Sequence, residues 1–238
     1  MSRLAFAGGP RDLTIFSRYL AMSRALACLA VGMILSACQA PFTHSPQARA
    51  TPQSLALQAT DVPGMQRCGV SGDMATVLNH EKAQGSPAYD RHATEWEQWK
   101  RQGAIAAYFA VYGHTAADCA AASDSSTGAP QGRLMVGLVV QFKDTSGAAR
   151  NFQRDSTLMG LGPKDIRFIE LAGGTTTFGS ATGLGADSVV GTAKVAGADY
   201  FVAMWQNSRF ESDLLGYDMP YADADNAVMQ VNHRIQVA

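Results

Sequence analysis

The spacing of apolar and polar residues changes several times along this chain, and each change predicts an element. Across "PAYDRHATEWEQWKRQG", Tyr89, Ala93, Trp96 and Trp99 recur three or four positions apart, while Arg91, Glu95, Lys100 and Arg101 lie largely off that face. The spacing predicts an amphipathic helix, with Pro87 suited to its first turn and Gly103 to its stop. "AIAAYFAVYG" and "LMVGLVVQF" read as strands, and the second is apolar on both parities, which predicts cover on both faces. "SGAARNFQRDSTLMG" predicts a helix running from an N-cap at Ser146 to a C-cap at Gly160. "DIRFIEL" reads as a short strand and "AGGTTTFGSATGLG" as a Gly/Thr-rich loop. "DSVVGTAKV", "DYFVAMWQ" and "RFESDLLGY" predict three strands joined by tight turns at Ala196-Gly197 and Asn207-Ser208. "PYADADNAVMQVNHRI" closes the chain as a helix with Ala224, Val228, Val231 and Ile235 as its apolar stripe. Nearer the start, "SLALQATDVPGM" reads as a short helix ended by Pro63 and Gly64, and "HTAADCAAASDSSTGAPQG" as a polar connection. Hairpin neighbours imply an antiparallel sheet, and two-sided apolar strands imply helices packed on its faces, so the expected class is α+β.

The first forty residues follow a different logic. The apolar run from Ala25 to Ala37 is too short for a bilayer-spanning helix, which needs about 20 residues. Behind Arg24 it has the form of a signal-peptide core. It ends in Leu35-Ser36-Ala37-Cys38, which resembles the lipobox of bacterial lipoproteins. That resemblance implies cleavage before Cys38 and a lipid on its sulfur. Each buried methylene contributes about 0.8 kcal/mol, so two or three acyl chains anchor stably where one does not. The expected organisation is a signal peptide over 1–37, in which residues 1–21 are either a long n-region or precede a true start at Met22, then the lipidated cysteine and a flexible tether over 38–53. Pro41, Pro46 and Pro52 punctuate the tether. A single α+β domain follows over 54–238. The expected location is the extracytoplasmic face of the cell membrane, with the membrane itself as a partner through Cys38.

Composition narrows the function classes. From Cys38 onward there are 15 basic and 19 acidic residues, a balance that excludes a nucleic-acid footprint. Cys68 and Cys119 are the two cysteines left in the domain, and in an oxidising compartment they are expected to pair.

Catalytic patterns are weak. Gly69-Val70-Ser71-Gly72-Asp73 has the wrong spacing for a nucleophile elbow, and Gly183-Leu184-Gly185-Ala186-Asp187-Ser188 lacks a third glycine and precedes a strand. No His-x-x-x-His pair exists; the nearest convergence is His80-Glu81 with His92. Asp223-x-Asp225 lacks the glycine and distal glutamate of a calcium loop, and acids there complement a helix dipole. No catalytic residue, cofactor or metal is expected. Trp96 and Trp99 either form the core face of their helix or offer an aromatic surface to a ligand. The 173–185 segment reads as a connector or a binding lid.

"LQATDVPGMQRC", "VVQFKDTSGAARNF", "GLGADSVVG", "DYFVAMWQNSRF" and "ADADNAVMQVNHRI" together resemble secreted bacterial lipoproteins of the sensor-domain type. Relatives in style are the extracellular sensor domains of mycobacterial Ser/Thr kinases and the PsbP/Mog1-like lipoproteins. The resemblance implies an antiparallel α/β sandwich with a groove for a cell-wall, lipid or protein ligand, and no catalytic residues. Kinase sensor domains of this kind carry two disulfides, whereas this chain can form one, and no attached kinase domain is expected. The expected function is therefore a non-catalytic, membrane-anchored binding or sensor-like domain of the cell envelope. An envelope hydrolase and a scaffold lipoprotein are the alternatives.

Overall fold

The structure is a computed structural model that describes residues 50–123, 132–154, 166–195 and 197–238. Cys38, the apolar run before it and the Gly160 position lie outside these residues. None of the described helices is long and apolar enough to cross a membrane.

The fold opens with a one-turn helix, α1 (Pro52–Leu55), held by a reciprocal cap between Thr51 and Ser54. It is much shorter than the helix expected over 54–64. Two short strands follow, β1 (Gln66–Arg67) and β2 (Gly72–Asp73), then helices α2 (Met74–Ala83) and α3 (Tyr89–Gln102). Asp73 caps α2 by accepting from the Thr76 amide at 2.8 Å. Gly103 ends α3 at φ 104°, a left-handed position that suits glycine. The chain continues through β3 (Ala104–Gly113), α4 (Ala116–Ser123), β4 (Leu134–Phe142), α5 (Thr145–Phe152), α6 (Arg167–Leu171), β5 (Thr175–Phe178), β6 (Ser188–Val195), β7 (Ala198–Asn207), β8 (Phe210–Tyr217) and α7 (Tyr221–Gln236).

Several elements differ from expectation for identifiable reasons. Within "DIRFIEL", Arg167–Leu171 form helix α6 rather than a strand: Ile166 and Ile169, three positions apart, are both buried, while Glu170 and Leu171 face solvent. Part of the Gly/Thr-rich loop is strand β5, whose threonines ladder against β6 from Thr175↔Thr192 to Phe178↔Val189. Helix α5 is capped by Asp144, not Ser146; the carboxylate accepts from the Gly147 amide at 2.7 Å. Helices α2 and α4 had no strong apolar period to announce them.

All pairings are antiparallel, in the order β1-β3-β4-β8-β7-β6-β5, with β2 also on β3. The sheet separates two layers. On one face α1 and α7 cover Tyr108, Met135, Phe201, Trp205 and Leu214, and the predicted stripe of α7 is wholly buried there. On the other face there are two apolar clusters. One gathers Met74, Trp99, Leu138, Phe142 and Ala148 beneath α2, α3 and α5. The second gathers Ile166, Ile169, Val189, Val202 and Met204 beneath α6. Central strand β8 runs between them.

Candidate functional site

Helix α3 puts Trp99 in the core at 0% exposure, with Trp96 half-buried against the same cluster. Trp99 has no surface with which to stack on a ligand, so that part of the expectation gives way to packing. Cys68 and Cys119 are joined in a disulfide with Cα atoms 5.1 Å apart, tying the β1–β2 segment to α4. Glu81 and His92 do converge, at 2.7 Å, but they bridge α2 to α3 as a pair. No group of three metal-ligating side chains occurs among the described residues. Ser71 is committed to the backbone: its hydroxyl accepts from the Val111 amide at 2.9 Å and donates to the Val111 carbonyl at 3.1 Å.

A concavity does lie at the start of the 173–185 segment, at Gly173 to Thr175. A hollow of about 340 Å³ is bounded by the start of β5, the β6–β7 hairpin and the entry to α7. That volume is in the range of small-molecule sites. Its shape begins with Gly174: a Cβ there would stand 2.1 Å from the Thr192 carbonyl oxygen, so only glycine lets β5 start this close to β6. The resulting register places Thr175 opposite Thr192, and their hydroxyls bond at 2.9 Å. Thr192 in turn pairs with Phe201, and Lys194 with Asp199. Phe201 meets Tyr221 edge to face, with centroids 5.5 Å apart. Tyr221 is 52% exposed.

The electrostatics are mild. Lys194 and Asp199 bond at 2.7 Å on the rim, both well exposed, and a surface pair of this kind adds little stability. Burial, reinforced by Asp225, raises the Tyr221 hydroxyl above its ordinary pKa, and burial alone pushes Tyr200 up to about 12. Both phenols stay protonated at neutral pH and can donate. The two threonine hydroxyls bond each other rather than a base, and the lysine is paired with a carboxylate. The arrangement can stack, donate and accept, but it contains no nucleophile aligned on a base.

Sequence reasoning pointed to the 173–185 segment as a connector or a lid but missed the rest of the lining, which comes from β6, β7 and the entry to α7, and it read strand β5 as loop. The exposed aromatic at the start of α7 was the available signal. It also missed two acids on β8, Glu211 and Asp213, which are buried at 2% and 1% exposure. Burial first, then the Asp213 charge, raises Glu211 well above its usual range, against the opposing pull of Asn151 and Arg154. Burial pushes Asp213 up to about 7.

No family model and no curated protein matches the chain. Among solved structures the fold is similar to the extracellular domain of PknH from Mycobacterium tuberculosis, at 12% identity and a TM-score of 0.42, over 79% of this chain and 98% of that one.

Proposed function

We propose that this chain is a membrane-anchored extracytoplasmic lipoprotein whose domain binds a small ligand without transforming it. The observation that carries the binding role is the hollow at β5–β6–β7. An exposed aromatic ring, two hydroxyls and a neutralised charge pair converge there with no catalytic constellation. Such a lining suits a hydroxyl-rich ligand with a flat apolar side, as in a cell-wall saccharide: the tyrosine face takes the flat side and the threonines and rim charges take the hydroxyls. The anchor rests on the lipobox-like Leu35–Cys38 segment, and the disulfide suits an oxidising compartment.

Binding is tested by isothermal titration of the full chain with N-acetylated cell-wall oligosaccharides. Saturable binding that Tyr221→Ala weakens at least tenfold, with unchanged thermal unfolding, is expected. Binding that Tyr221→Ala leaves intact overturns the site. The anchor is tested separately by palmitate labelling: Cys38→Ala should abolish the label and leave an uncleaved precursor, and an unlabelled wild-type chain refutes it.

A further inference from the structure

Glu211 and Asp213 stand two residues apart on β8, so they share the face that α3, α5 and α6 cover. They lie on the boundary between that face's two apolar clusters. Asp213 is flanked in the sheet by Leu138 of β4 and Met204 of β7, and Glu211 by Val140 and Gln206. From α5, Asn151 donates to a Glu211 oxygen at 2.8 Å, and Arg154 acts on Glu211 electrostatically. Arg154 also pairs with Glu95 of α3 at 3.3 Å. From α6, the buried neighbours facing the sheet are Ile166 and Ile169. Among the described residues neither carboxylate oxygen of Asp213 has a hydrogen-bond partner, and the Asn151 carbonyl oxygen likewise has none.

An ionised carboxylate in such surroundings loses its hydration without replacement, and a second one on the same strand face adds repulsion. A protonated pair avoids both costs and adds hydroxyl donors to a seam in which the Asn151 carbonyl oxygen has no described partner. We propose that Glu211 and Asp213 form a proton-operated latch beneath α5. Protonated, the pair lets α5 close on the sheet. Ionised, it draws water into the seam and loosens α5 from β8.

The direction follows from linkage. An acid that holds its proton more tightly in the folded chain makes the folded state bind more protons. Stability is then greatest in acid and falls as pH rises from the unfolded carboxylate value of about 4 towards the folded one. For Asp213 that window closes near about 7, and Glu211, raised first by burial and then by the Asp213 charge, adds to the loss in the same direction. Within it, the folding equilibrium constant falls up to about tenfold per pH unit for each retained proton. Asp73, whose pKa is lowered by the Thr76 amide bond, works in the opposite sense and only below that window.

The test uses the full chain in non-ionic detergent, followed by hydrogen exchange corrected for intrinsic rates. Protection of the α5 and β8 amides should fall at least tenfold between pH 5 and pH 8. The neutral variants Asp213→Asn and Glu211→Gln should flatten that dependence. A wild-type profile without slope, or variants with the wild-type slope, overturns the proposal. If neither variant folds, urea unfolding of the wild-type chain at pH 6 decides. Release of at least one proton per chain is expected, and no release or net uptake refutes the latch.

Discussion

Truncating Arg234 to alanine probes the junction between the two ends of the fold. From α7 its guanidinium donates to both Asp61 oxygens, at 2.9 and 2.6 Å, and to the carbonyl oxygens of Leu55 and Ala56 at 3.2 and 3.0 Å. The Asp61 side chain is 3% exposed and that of Arg234 25%. After truncation Asp61 keeps one donor, the Gln58 amide at 2.7 Å, and its charge is otherwise stranded. Removing one partner of a buried ion pair costs about 3–5 kcal/mol. Water reaching the partly exposed arginine side relieves some of that, so a loss of about 3 kcal/mol is expected. For a domain of this size that lowers the melting temperature by about 6–12 °C. Urea unfolding of wild type, Arg234→Ala, Asp61→Ala and the double variant forms a thermodynamic cycle. The double variant should be no less stable than Arg234→Ala, because it removes the stranded charge. A loss below about 1 kcal/mol for Arg234→Ala, the value of an ordinary surface pair, would refute the reasoning.

Replacing Cys68 and Cys119 together with serine should cost about 4 kcal/mol in the chain-entropy description of a 51-residue closure, read from urea midpoints; thiol titration of the denatured, unreduced wild type should find neither cysteine free. Trp99→Ala should destabilise by about 3–5 kcal/mol as a fully buried aromatic, and half-buried Trp96→Ala by clearly less, in the same thermal assay. Asp144→Ala removes the cap of α5 and should cost about 1 kcal/mol, whereas Ser146→Ala should be near neutral.

The parts of the fold legible in the sequence are those with a sustained period or a long apolar run. The α7 stripe and the α3 face carry a helical period, the five long strands are apolar runs bounded by turn residues, and the class follows from them. Short elements set by tertiary pairing were not legible: β1 and β2 have two residues each, and β5 is defined by what it lies beside. Helix α6 was misread because five or six apolar-rich residues suit either period, and only the sheet beneath shows which one is used. In the candidate site, Tyr221 and Thr175 are far apart in sequence and line one hollow only through the register of β5, β6 and β7. The acids of β8 look like solvent-facing positions of an alternating strand. Only the strand order shows that β8 lies between β4 and β7 with helices above it.

The two borders of the sheet bear on how crowded copies of this domain would behave. A strand with open backbone groups at a sheet border is a template for another chain. Along β3 that template is already used from Tyr108 to Gly113: β2 and β1 pair at either end, the Cys68 amide donates to the Val111 carbonyl at 2.8 Å, and the Ser71 hydroxyl caps the remaining groups of Val111. The disulfide fastens this patch in place. The opposite border, β5, is four residues long, a ladder of only about 13 Å. If the lipid proposed for Cys38 tethers the domain, its copies share a two-dimensional layer at high local concentration, where edge-to-edge strand exchange would be fastest. A sheet stapled along one border and cut short at the other gives a neighbouring copy little backbone on which to nucleate a fibre.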